Sequence, residues 1–118
     1  MEKLNTIQTR EKLNHVFRDG DPGPGGVHHD YCIAAAPGEI LLTVKFQKGP
    51  RKDLNARHGV LDCDLLEICR DRMKAFVAGP MTDRETELAL GHVEAALHCL
   101  NKRVEDRIER NVLGTMEK

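Results

Sequence analysis

Residues 61–111 read LDCDLLEICRDRMKAFVAGPMTDRETELALGHVEAALHCLNKRVEDRIERN, and this stretch decides the fold. Leu90, Val93, Leu97, Leu100 and Val104 recur at alternating spacings of three and four, which places them on one narrow apolar seam of a helix. The seam predicts a long helix from about Asp83 to Asn111. Upstream, Leu61 to Phe76 reads as a second helix that offers Leu61, Leu65, Cys69 and Phe76 to the seam. Ala78-Gly79-Pro80 interrupts the pattern between them, since neither glycine nor proline sustains a helix interior. Thr82 followed by Glu85 has the spacing of a capping box, so the long helix is expected to begin at this corner. A connection this short makes the two helices antiparallel.

Working outward toward the amino terminus, Tyr31 to Ala36 and Ile40 to Gln47 flank a turn at Pro37-Gly38-Glu39 and read as a β-hairpin. Leu42, Val44 and Phe46 fall on one face of the second strand, with Thr43, Lys45 and Gln47 on the other. An isolated hairpin is marginal in water, so its apolar face needs cover from the helices or from another chain. Met1 to Arg18 carries a loose pattern of Leu4, Ile7, Leu13, Val16 and Phe17, expected to form a peripheral helix. Asp19 to Gly26 is dense in glycine and proline and reads as a linker or loop. The expected organisation is therefore α+β. An N-terminal arm and Gly/Pro linker over 1–27 precede a β-hairpin plus helical-hairpin domain over 28–118.

Composition narrows the function. Of the 118 residues 40% are hydrophobic but only 3% aromatic, so one chain builds a thin core and oligomerisation is expected. Eighteen Lys and Arg against 19 Asp and Glu create no global field toward a nucleic-acid polymer or an anionic membrane, and any anion site must be local. Four cysteines without a C-x-x-C pair, and no apolar run suited to a signal peptide or membrane span, suggest a reducing cytoplasm. His28, His29, Asp30 and Cys32 lack a familiar ligand spacing, and no metal site or cofactor is expected. The sequence holds no Walker loop, G-x-S-x-G elbow or H-E-x-x-H, so catalysis has no support.

Two places could bind a ligand. Arg107 takes the seam position that follows Leu100 and Val104, and Arg103, Arg107 and Arg110 share one helix face. Guanidinium groups so arranged can present paired donors to phosphate. The same spacing equally describes a solvated helix end paired with Glu105, Asp106 and Glu109, and spacing alone favours that plainer reading. The second place is the corner from Phe76 to Glu85, which gathers an aromatic ring, Gly79 and the backbone donors of a helix N-terminus. A capped turn with Phe76 in the core explains it as well.

Several strings taken in order carry a resemblance: His28-His29-Asp30-Tyr31, Lys45-Phe46-Gln47-Lys48-Gly49-Pro50, Ala78-Gly79-Pro80, Arg84-Glu85, Leu88-Ala89-Leu90, Glu94-Ala95-Ala96-Leu97 and Arg103 to Arg107. From His28 to Thr115 the chain resembles the helical-hairpin domain shared by phage Thoeris anti-defence proteins and anti-CBASS cyclic-nucleotide sponges. The hairpin before the helices makes the Thoeris branch the nearer match. The resemblance implies a non-catalytic sponge in the host bacterial cytoplasm, with dimers assembling into hexamers and a cyclic ADP-ribose isomer held intact. It implies ligand-binding roles for Phe76 (stacking), Thr86 (where relatives usually carry Asn), and Arg103 and Arg107 (phosphates). Arg84 matches an arginine of a second, cyclic-trinucleotide pocket at a threefold axis, although Asp83 beside it would repel phosphates. The competing readings are a sponge for cyclic di- or trinucleotides, a helical protein- or DNA-binding adaptor, and an enzyme that hydrolyses the messenger.

Overall fold

The computed structural model describes residues 1–118. The chain forms two compact units, one of residues 1–49 with 54–60 and one of residues 50–53 with 61–118.

The first unit is a four-stranded antiparallel meander: β1 (Glu2–Lys3), β2 (Asn14–Asp19), β3 (Asp30–Ala35) and β4 (Ile40–Lys45), in that order across the sheet. β3 and β4 are the expected hairpin. The peripheral helix expected in Met1 to Arg18 is absent; this segment supplies β1 and β2 instead. Phe17 lies opposite the buried Cys32 and Val16 opposite Ile33, whereas Ile7 and Leu13 of the expected pattern are exposed. β2 thus pairs the free edge of the hairpin and leaves its apolar face uncovered at Leu42, which is exposed. The glycine- and proline-rich stretch joins β2 to β3 within one unit, through a short 3-10 turn at Pro24–Gly26.

Beyond β4 the chain returns along that strand. Val60 donates its N–H to Lys45 O at 3.0 Å and accepts from Gln47 N–H at 2.9 Å. Gly59 makes this approach possible, because a Cβ there would stand 2.5 Å from Lys45 O and 2.6 Å from Phe46 C. Arg57 fixes the return by donating to Asp30 Oδ1 at 3.0 Å and to the Phe46 carbonyl at 2.9 Å. Phe46 in turn meets Tyr31 edge to face, with ring centroids 5.6 Å apart.

The second unit is the helical hairpin, α1 (Asp62–Ala78) and α2 (Arg84–Glu109). Leu90, Val93, Leu97, Leu100 and Val104 are all half-buried, as the seam requires. The α1 stripe that answers them differs from expectation. Leu61, Cys69 and Phe76 are exposed, while Leu66, Arg70, Met73 and Val77, at i, i+4, i+7 and i+11, are half-buried along one face. A guanidinium within this stripe is tolerated because Arg70 Nε donates to Glu94 Oε2 across the pair at 2.9 Å. No apolar side chain of either helix is fully buried; the one buried residue in the pair is Arg107. Neither helix is long and apolar enough to cross a membrane.

Candidate functional site

The corner between the helices is built from backbone. Gly79 caps α1, donating its N–H to Phe76 O at 3.1 Å, and Phe76 in the last turn is 47% exposed. α2 then begins on Asp83, one residue later than the Thr82 and Glu85 pair suggested. The Asp83 carboxylate accepts the Thr86 backbone N–H at 2.7 Å, an ionised acceptor at the position where helix caps are strongest. That hydrogen bond from the Thr86 backbone, together with the Thr86 side chain, holds the Asp83 carboxyl below the ordinary aspartate range. Thr86 is half-buried, and its hydroxyl shares the Asp83 carboxylate with its own backbone N–H. Arg84 is exposed and meets only Glu85, at 3.9 Å.

The arginines stand at the other end of α2. Arg110 pairs with Asp106 at 2.9 Å, the solvated arrangement that charge spacing allows. Arg103 is exposed and makes no ion pair. Arg107 is only 6% exposed, and its guanidinium donates to three uncharged acceptors. Nη2 meets the carbonyls of Val112 at 3.1 Å and Thr115 at 3.0 Å, and Nη1 meets that of Glu117. A buried cation satisfied by carbonyl dipoles alone is uncommon, because desolvating it is costly without an anion nearby.

The structure therefore brings Phe76, Gly79, Arg84 and Thr86 together at the corner, and Arg103 with Arg107 at the far end. It does not bring the two groups together in one chain. Thr86 and Arg103 are separated by 17 positions of continuous helix, a rise of about 25 Å. Helical periodicity nevertheless relates them. Leu65, Cys69, Arg72 and Phe76 form one outer stripe of α1, and Ala89, His92, Ala96 and Arg103 one outer stripe of α2, with the buried Arg107 on its border with the seam. In an antiparallel pair both stripes lie to the same side of the seam.

The other side of the pair holds a cleft of about 410 Å³ lined by Glu67, Arg70, Glu94, His98 and Asn101, among others. Arg70 is neutralised there by Glu94 first and Glu67 second, which raise its pKa above the ordinary arginine value. None of the candidate ligand residues lines this cleft, and with Asp64 also present its charge disfavours phosphate. The residues that sequence reasoning missed are Asp83 as the cap, Arg70 as the interhelical tie, and the carboxy-terminal tail on Arg107.

Comparison with known proteins matches residues 38–105, more than half of the chain, to the family model Acb2/Tad1, hairpin domain. The match takes in Phe76, Thr86 and Arg103 and stops two residues before Arg107. The chain is also 40% identical over 96 residues to the protein Thoeris anti-defense 1 of Bacillus phage SBSphiJ7. That alignment covers 81% of this chain and 66% of the relative, just under two thirds of its length. The chain belongs to the Acb2/Tad1 hairpin-domain family, the phage Thoeris anti-defence family that its sequence resembles.

Proposed function

We propose that this protein blocks Thoeris antiphage defence by sequestering the cyclic ADP-ribose signal of that system in the host cytoplasm, without altering it chemically. The observation that carries the reading is Arg107: a desolvated guanidinium with no carboxylate partner, one turn after an unpaired Arg103. Two guanidinium groups on one face suit the pyrophosphate of a cyclised ADP-ribose, since each can give charge-assisted, paired hydrogen bonds. Phe76 supplies an exposed ring for stacking on adenine. The relative's name, Thoeris anti-defense 1, supports the same reading at the level of the biological role.

Because Phe76 and the arginines stand far apart in one chain, the site is composite. Two hairpins packed antiparallel through their outer stripes would place Phe76 of each against Arg103 and Arg107 of the other. The half-buried seam and the exposed Cys69 and Phe76 leave apolar surface for such a partner. Dimers of this kind, further assembled into hexamers as the resemblance implies, make the functional unit.

The test is incubation of the protein with a panel of cyclic ADP-ribose isomers and cyclic di- and trinucleotides, followed by heat release and chromatography. The reading expects a cyclic ADP-ribose isomer recovered intact. Recovery of a hydrolysed product indicates an enzyme, and retention of cyclic oligonucleotides alone indicates the other branch of sponges.

A further inference from the structure

Helix α2 ends in a turn that sends the chain back over its own last residues. Asn111 adopts φ 58°, and the N–H groups of Asn111 and Val112 donate to Ile108 O at 3.0 Å and Arg107 O at 2.9 Å. This is the Schellman pattern of paired bonds, with Asn in the left-handed position. The tail that follows converges on one side chain, as the carbonyls of Val112, Thr115 and Glu117 all accept from Arg107. The Thr115 hydroxyl donates to Val112 O at 2.6 Å and holds two of those acceptors in place. Gly114, at φ 80°, lets the tail lie flat: a Cβ there would stand 2.5 Å from Arg51 Cγ and 3.1 Å from Lys52 Cγ.

Counting donors shows what this contact prevents. A guanidinium has five N–H groups, and a phosphate is gripped by two parallel ones, either Nε with Nη2 or Nη1 with Nη2. Both Nη2 hydrogens are committed to Val112 and Thr115, and one Nη1 hydrogen to Glu117. Neither gripping edge is open while the tail is docked.

We propose that residues 112–117 are a displaceable strap: they satisfy Arg107 while docked and leave it when a phosphate group arrives. The inference rests on the reading of Arg107 as a phosphate ligand and adds how access to it is controlled. Exchange is favourable in direction, because a charged oxygen replaces uncharged carbonyls on the same donors. The strap lowers the apparent affinity by the fraction of molecules in which it is undocked. It also keeps a buried cation satisfied until the ligand comes. Arg51 and Lys52, whose stems press on Gly114, then border the vacated space and add positive charge to it.

The experiment compares the full chain with two variants, a chain ending at Asn111 and full-length Gly114→Val, in which the new side chain meets Arg51. Each is titrated calorimetrically with inorganic pyrophosphate and with cyclic ADP-ribose isomers, helicity being checked by circular dichroism. Both variants are expected to bind roughly three- to thirtyfold tighter. In the full chain, saturating ligand is expected to raise amide hydrogen exchange in 112–117 while lowering it elsewhere in α2. Equal or weaker affinity in both variants, or a tail whose exchange does not rise, overturns the strap. If the full chain binds a messenger and truncation changes nothing, only the strap falls; if no form binds a messenger or pyrophosphate, the functional reading falls with it.

Discussion

Arg70 Nε donates to Glu94 Oε2 at 2.9 Å, so the one charged residue in the inner stripe of α1 is tied to the facing helix. The same guanidinium reaches Glu67 at 3.4 Å within its own helix. An ion pair with this exposure contributes little by itself and is screened by salt. Arg70→Met keeps much of the stem and removes the charge, leaving two carboxylates facing each other across the pair. The expected outcome is a lower Tm in low salt, with the difference from wild type shrinking in high salt. A salt-independent loss would mean that Arg70 matters through packing alone.

The return of the chain along β4 depends on the absence of a side chain at Gly59. The atoms a methyl group would meet are backbone atoms of Lys45 and Phe46, which cannot swing aside. Gly59→Ala is therefore expected to destabilise the protein by about 1–3 kcal/mol, the usual cost of forcing atoms into a closed contact. Denaturant melts that agree within error would refute this placement of residues 57–60.

Asp83 gives a pH dependence with a definite sign. Its folded-state pKa is lowered by the bonds from Thr86, so the cap stabilises α2 above the pKa of an unfolded aspartate. That stability is lost as pH falls through the lower folded value. Asp83→Ser keeps an oxygen cap that does not titrate at acidic pH. The acid-induced fall in Tm is expected to be shallower in Asp83→Ser than in wild type; identical pH profiles would show that the cap carries no such linkage.

The parts of this structure legible from sequence are those whose signal is local. The α2 seam is where periodicity placed it, and the two hairpin strands lie within two residues of their expected bounds, although Leu42 of the expected inner face is exposed. β2 was hidden because Leu13, Val16 and Phe17 also fit a loose helical pattern; only pairing with β3 makes His15 to Arg18 a strand. The α1 stripe escapes sequence pattern for a related reason. Leu61, Cys69 and Phe76 look like core by type, whereas Arg70 occupies the inner face because Glu94 lies within reach. At the corner two caps were spelled one residue apart, and the Asp83 carboxylate prevails over the Thr82 hydroxyl.

Arg107 was legible as an anomaly but not in its surroundings. A charge at a seam position is visible in the sequence, while the acceptors that hold it are backbone carbonyls, which carry no residue identity. The length of α2 sets Phe76 and Arg103 at opposite ends of the hairpin, and this separation is what supports the proposed sharing of the site between two chains.

The central claim, a nucleotide site shared between two chains, is tested most directly by mixing variants. Phe76→Ala and Arg103→Glu are each expected to bind no cyclic ADP-ribose isomer as homodimers, while circular dichroism and sedimentation match wild type. Co-expressed, the two chains form a mixed dimer in which Phe76 of the second chain meets Arg103 of the first, rebuilding one complete site. Calorimetry should then give wild-type affinity at half the wild-type stoichiometry. A mixed dimer that binds nothing, or either single variant retaining full affinity, would contradict the account.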